Sequence, residues 1–208
     1  MNNYKPLIYV VDDNVSIRRA LSLLLKSHGF KVETFACAKD FLAFRHPKYS
    51  ACLILDVRLP DINGLHLQDA MARRQIMIPI IFITGHGDIP MSVKAMQSGA
   101  IDFLPKPVTA KKLLNAIKRA IEKSKTQNKE QAEIARIKRH IKTLSPRELE
   151  VFRLVARGMM SKNIALKRGT SLQTIKVHRG HVMQKMRAKT VTELMRFAQK
   201  AGIIPLKT

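Results

Sequence analysis

The sequence predicts an α/β fold: a doubly wound five-stranded parallel sheet, followed by a helical linker and an all-α four-helix helix-turn-helix domain. Three observations predict it. In residues 1–123, five short apolar or alternating runs are each followed by a helical pattern, the signature of successive βα units. Several of those runs end on polar groups, as strands of an open α/β sheet do at their ligand-binding edge. From residue 143 onward strand-like runs disappear, and capped helices follow one another around a tight turn.

The elements follow in order. Leu7–Val11 is the first strand and ends on Asp12-Asp13. Residues 14–28 form a helix with Ile17, Leu21, Leu24 and Leu25 on one face, stopped by Gly29. Residues 31–35 alternate as a short strand, and residues 38–44 read as a short helix. Residues 51–56 form an apolar strand ending on Asp56, the pattern of a strand buried on both faces. A helix spans 64–74, and the strand 78–83 ends on Thr84. Residues 89–98 are helical, stopped by Gly99. The fifth strand, 100–104, leads into Lys106-Pro107. The helix 109–123 turns Leu113, Leu114, Ile117 and Ile121 inward.

Residues 124–142 are polar and hold no Pro or Gly. Ile134, Ile137 and Ile141 recur at helical spacing, so this linker is expected to extend as a helix with one sparse apolar stripe. The stripe fits either domain or a second copy of the chain. Next, Ser145-Pro-Arg-Glu148 combines an N-cap, a first-turn Pro and a capping-box Glu. That helix reaches Arg157, before Gly158. A second starts at Ser161 and a third at Leu172, capped by Ser171 after the turn Arg168-Gly-Thr170. A fourth opens on the capping box Thr190-Val-Thr-Glu193. The expected division is therefore 1–123, 124–142 and 143–208.

Length, cysteine count and charge bound the function. At 208 residues with 46% apolar and 25% charged residues, the chain suits two small folded domains. No apolar run has the length of a membrane span, and the start lacks a signal-peptide pattern, so a cytoplasmic location and no membrane partner are expected. Two cysteines, Cys37 and Cys52, have no metal-site spacing and exclude a disulfide framework. Net charge is +23 and uneven: +8 over residues 1–123 and +15 over the shorter 124–208. A polyanion, double-stranded DNA first, is the expected partner of the second part. A membrane surface or an acidic protein is the alternative.

Three acids (Asp12, Asp13, Asp56), a hydroxyl (Thr84) and an amine (Lys106) converge on one sheet edge if their strands are neighbours. Carboxylates with a backbone carbonyl and waters suit octahedral Mg²⁺, which relieves the repulsion among them. Asp56 would then be the nucleophile, Lys106 would pair with a phosphoryl oxygen, and the Thr84 hydroxyl would bond another. Singly, each residue has a plainer role: Asp12-Asp13 as helix caps, Thr84 bonding a loop amide, Lys106 as a solvated charge.

With Val10-Val-Asp-Asp13, Leu55-Asp-Val-Arg-Leu-Pro60, Ile83-Thr-Gly-His-Gly-Asp88 and Asp102-Phe-Leu-Pro-Lys-Pro107, residues 5–122 resemble the receiver domain of two-component response regulators, and the segment Thr84-Gly-His-Gly-Asp-Ile-Pro-Met91 is similar to the FixJ branch in particular. The resemblance implies that Asp56 is the phosphoacceptor of a sensor histidine kinase. It assigns Mg²⁺ to Asp12, Asp13, Asp56 and the backbone carbonyl of Arg58. Thr84 and Phe103 would be a switch pair that repacks the face spanning residues 88–106, through which the phosphorylated chain forms a homodimer. Lys106-Pro107 would be cis, while Arg58 and His86 would tune phosphate loss. Pro105 and Val108 depart from the family pattern.

Residues 143–201 are similar to the LuxR-type helix-turn-helix, on Leu144-Ser-Pro-Arg-Glu148, Val151-Phe-Arg-Leu154, Ile164-Ala165, Thr174-Ile-Lys-Val-His-Arg179 and Val182-Met-Gln-Lys-Met186. The similarity places Lys176, Val177 and Gly180 toward bases and Arg179 and Lys185 near phosphates, with Thr174 among the DNA-binding residues. Arg168, Thr170 and Gly180 are departures, implying looser packing under the turn and fewer base-reading side chains. Together the two resemblances imply a response regulator transcription factor, with RNA polymerase as a candidate further partner. They imply no turnover enzyme, only Mg²⁺-dependent self-phosphorylation and autodephosphorylation. The rivals are a haloacid-dehalogenase-type phosphatase, which would carry its nucleophile on the first strand, and a DNA-binding protein whose first domain is only a dimerisation scaffold.

Overall fold

The structure is a computed structural model that describes residues 5–46, 49–85 and 89–205; His86 and Asp88, the latter starting the expected dimer face, lie outside the described residues. The chain divides into two compact units, residues 1–129 and 130–208. No helix among the described residues is long and apolar enough to cross a membrane.

In the first unit, strands β1 (Leu7–Val11), β2 (Lys31–Phe35), β3 (Ala51–Asp56), β4 (Ile80–Thr84) and β5 (Asp102–Pro105) form one parallel sheet in the order β2-β1-β3-β4-β5. Helices α1 (Val15–Ser27), α2 (Ala38–Ala43), α3 (Gly64–Arg73), α4 (Ile89–Gln97) and the start of α5 (Ala110–Ile141) connect and cover the strands. Alternation along the strands splits the core in two. Tyr9, Val11, Leu53, Leu55 and Phe82 face Phe41 of α2, Leu67 and Met71 of α3 and Ala95 of α4. Ile8, Val10, Cys52, Ile54, Ile81 and Ile83 face Leu21 and Leu25 of α1 and Leu113, Ala116, Ile117 and Ala120 of α5. Both faces are therefore dry, which is why β1, β3 and β4 are apolar up to the polar residues at or just beyond their carboxyl ends. The strand order reverses between β1 and β3, and this reversal opens the crevice at the carboxyl edge.

Two strands differ from expectation. β4 begins at Ile80 rather than Ile78, because Pro79 has no N–H; its carbonyl instead accepts from the Leu53 N–H at 2.9 Å. β5 is Asp102–Pro105 rather than 100–104. Gly99, at φ +91°, ends α4, and the Ala100 N–H still bonds the Ala95 carbonyl at 3.1 Å. Pro105 is tolerated because it closes an edge strand, and the Lys106 N–H resumes the ladder to the Thr84 carbonyl at 2.7 Å.

The expected helix 109–123 and the helical linker are one uninterrupted 32-residue helix. Ser124 is buried in the first unit, where its Oγ accepts from the Ala51 N–H at 3.0 Å. Ile137 is 1% exposed among the apolar residues of the second unit. That unit adds α6 (Pro146–Ala156), α7 (Ser161–Arg168), α8 (Leu172–Met186) and α9 (Val191–Lys200), around Phe152, Val155, Ile164, Ile175, Val182, Leu194 and Phe197. Ser145 and Glu148 form the predicted capping box. At α9 the prediction is corrected in part: Thr190 caps the Glu193 N–H at 3.1 Å, but the Glu193 carboxylate reaches back to Lys189 N at 2.9 Å, one residue earlier.

Candidate functional site

The carboxyl edge of the sheet gathers the acids because β1 and β3 are neighbours in register, Val11 opposite Leu55. Asp12 and Asp56 are buried and Asp13 is exposed, and one carboxylate oxygen from each lies within 4.8 Å of the others. The plainer reading of Asp12-Asp13 as helix caps does not hold. Asn14 caps α1 instead, accepting from Ser16 N at 2.9 Å and Ile17 N at 3.2 Å. Asp12 is held by the Asn14 N–H on Oδ1 at 2.8 Å, and its carbonyl accepts from Arg18 Nη1 at 2.7 Å.

Lys106 reaches this cluster from the loop after β5. Its Nζ lies 2.7 Å from Asp12 Oδ2 and 2.5 Å from Asp56 Oδ2. Burial alone would lower its pKa, but the hydrogen bonds and charges of Asp12 and Asp56 outweigh that and raise it above the ordinary lysine value. The amine is therefore a permanent ammonium at neutral pH. Lys106-Pro107 is a cis peptide, as expected. Thr84, 1% exposed at the end of β4, completes the edge beside them. The Phe103 ring is half-buried on β5, 6.0 Å from the Phe82 ring. The loop after Asp56 is fixed at several points. Arg58 N donates to Asp56 Oδ1 at 3.1 Å, and the Asp61 carboxylate caps α2 through Ala38 N and Lys39 N at 3.2 and 2.8 Å.

Sequence reasoning missed Gly64. A Cβ there would sit 2.6 Å from the Asp56 carbonyl oxygen, so α3 presses directly on the backbone that presents Asp56. A glycine inside a helix's first turn, where most residues would be better helix formers, was the available signal. The donor set, hard carboxylate oxygens without thiol or imidazole among the described residues, suits Mg²⁺ rather than a softer metal.

In the second unit, Thr174, Lys176, Val177 and Gly180 are exposed on α8. Arg179 is half-buried, its Nη1 donating to Ser161 Oγ at 3.1 Å. Lys185, expected near a phosphate, instead places Nζ 2.6 Å from Oε2 of the buried Glu148. That pairing joins residues 37 apart and had no local signal. The departure at Arg168 is also explained, since its Nη1 lies 2.6 Å from Glu150 Oε1. A surface groove of about 310 Å³ is lined by Arg147, Glu150, Arg168, Thr170, Thr174 and His178 among others, while Ile164, Ala165 and Ile175 beneath the turn are buried.

Comparison with known proteins agrees with this geometry. Residues 8–118 match the response regulator receiver domain, and residues 142–198 match the bacterial regulatory proteins of the luxR family. Nodulation protein W of Bradyrhizobium diazoefficiens is 46% identical over 96% of this chain and 88% of that protein. Transcriptional regulatory protein FixJ of Rhizobium meliloti is 38% identical over 95% of this chain and 97% of that protein. Among solved structures, the response regulator StyR is 42% identical, with a TM-score of 0.79 over 95% of this chain and 100% of that one. Full-length FixJ from B. japonicum is 38% identical, with a TM-score of 0.55 over 96% of this chain and 98% of that one. The two domain matches occur in one chain with relatives matched over most of their length, and the chain belongs to the family of transcriptional response regulators that join a receiver domain to a LuxR-type DNA-binding domain.

Proposed function

We propose that Asp56 is the phosphoacceptor, that a sensor histidine kinase is the donor, and that phosphorylation drives dimerisation and sequence-specific binding to double-stranded DNA. The observation that carries this reading is the Lys106 ammonium bridging Asp12 and Asp56 beside Asp13. In the transfer, an Asp56 carboxylate oxygen forms a bond to phosphorus as the bond from phosphorus to the donor histidine nitrogen breaks. The departing electron pair stays on that imidazole, which takes up a proton. Lys106 leaves Asp56 to pair with a phosphoryl oxygen, and the Thr84 hydroxyl bonds another. Asp12, Asp13, Asp56 and the Arg58 carbonyl would hold Mg²⁺, which supplies charge neutralisation of the transferring group.

The motion of Thr84 toward the phosphoryl group lets Phe103 turn inward and repacks the α4–β5 face. That face already exposes Ile89, Val93 and Met96, which suits self-association. Residues 1–123 act as receiver, 124–142 as linker and 143–208 as DNA-binding domain, in the cytoplasm, with RNA polymerase as a further partner. Thr174, Lys176, Val177, Arg179 and Gly180 face DNA, and Lys185 supports them through Glu148. The chain's own chemistry is limited to gaining and losing one phosphoryl group.

Acetyl phosphate with Mg²⁺ tests the centre. Intact-mass and peptide mapping should show one phosphoryl group on Asp56, absent from Asp56→Asn and retained in Asp40→Asn. Incorporation elsewhere, or none, would overturn the assignment.

A further inference from the structure

The outer crest of α8 is uncharged. At 100° per residue, the buried Ile175, Val182 and Met186 define its inner face. The opposite face carries Gln173, Val177, Gly180 and Gln184, spaced i, i+4, i+7 and i+11, and all four are exposed. Val177 keeps 47% of its surface exposed. The Gln173 and Gln184 amides make no hydrogen bond among the described residues. The cations stand to the sides. Lys176 lies on one flank, while Arg179 and Lys185 are turned to Ser161 and Glu148.

Gly180 adds a second, independent observation. An exposed glycine in a helix interior costs about 1 kcal/mol relative to Ala. A Cβ there would meet nothing within 4 Å among the described residues. No described neighbour therefore requires the glycine, and the crest is left flat for a close approach from outside.

Resting on the DNA-binding reading above, we infer that Gln173 is a specificity-determining residue that reads adenine in the major groove, with Val177 against a thymine methyl two base-pair steps away. A glutamine amide pairs with adenine N6 and N7, and an aliphatic side chain suits the thymine methyl, whereas guanine is read mainly by Arg or Lys. The crest carries neither of those. Gln173 and Val177 are one helical turn apart, about 6 Å along the axis, close to two base-pair steps of about 3.4 Å. Gln173 also lies in the first turn of α8, the end from which recognition helices reach base edges. The net charge of the chain, +23, suits duplex DNA as its partner, with the cations flanking this uncharged face.

The test is selection of binding sites from a random duplex pool by the full-length protein treated with acetyl phosphate and Mg²⁺, with melting curves for each variant. The wild type should enrich an adenine at one position of each half-site. Gln173→Glu should change that preference to cytosine, whose N4 amine a carboxylate accepts, and Gln173→Ala should erase it. Replacing the adenine should weaken wild-type binding about 5- to 150-fold, the loss of one bidentate contact. Deoxyuridine for the thymidine two base-pair steps from that adenine should weaken the wild type more than Val177→Ala. Enrichment by the wild type with an unchanged preference in folded Gln173→Glu would overturn the inference and leave DNA binding intact. Enrichment of no sequence by the wild type would overturn both.

Discussion

Glu148 is 4% exposed, yet its carboxylate accepts from Ser145 N at 2.8 Å and from Lys185 Nζ at 2.6 Å, with His181 Nδ1 at 3.5 Å. The Lys185 hydrogen bond and then the Ser145 amide hold its pKa down to about 2. An ordinary glutamate titrates near 4.3. Because the folded value is the lower one, this stabilisation is complete above about pH 4.3 and is lost as pH falls toward about 2. Glu148→Gln is therefore expected to lower stability by about 1–3 kcal/mol at neutral pH, the range for lost hydrogen bonds to a charged group. Melting curves of variant and wild type should converge as the pH is lowered through that window; a constant gap would contradict the charge-based account. At this scale the sequence was informative where residues end a strand, as Asp56 and Thr84 do, or directly follow one, as Asp12 and Lys106 do. It was silent about the Lys185 pairing and offered for Gly64 only a poor helix former in a first turn, because the reasons are contacts made only after folding.

Among the elements, α5 shows best what periodicity can and cannot decide. The spacing of Ile134, Ile137 and Ile141 revealed a helix. Its partner was open, because a three-residue apolar stripe fits several surfaces equally well. The structure buries Ile137 with Phe152, Val155 and Phe197 in the second unit and leaves Ile134 half-buried. Glu133, on the same helix, pairs with Lys200 and lies 3.8 Å from Arg196 of α9. Ile137→Ala should destabilise the second unit by about 2–5 kcal/mol, as for other large-to-small core changes. Chemical denaturation followed by a probe placed in residues 143–205 would measure it, and a loss below about 0.5 kcal/mol, ordinary for a surface change, would refute the packing. The strand boundaries at β4 and β5 were misread by one or two residues because hydrophobicity does not register a missing proline N–H or a helix cap.

For the whole molecule, charge is the governing quantity. A net +23 with the excess concentrated after residue 123 was legible from composition alone, since net charge needs no fold. Affinity for duplex DNA should fall about 10³- to 10⁵-fold between roughly 50 and 200 mM salt if six to ten phosphates are engaged. Fluorescence anisotropy across that range gives the slope of log affinity against log salt. A slope shallower than about −2 would mean that few phosphates are neutralised and that the charge serves another end. A charge-neutralising substitution at Arg179, which the resemblance places near a phosphate, should reduce the slope by about one.

The edges of the receiver sheet set a limit on how such molecules can associate. β5 is four residues long and closes on Pro105, and β2 carries Lys31 and Glu33. Short strands, prolines and charges at a border disfavour annealing of one sheet onto another. Under the pairing proposed above, copies of this chain would meet through side-chain contacts rather than through backbone-zippered, polymer-forming ones.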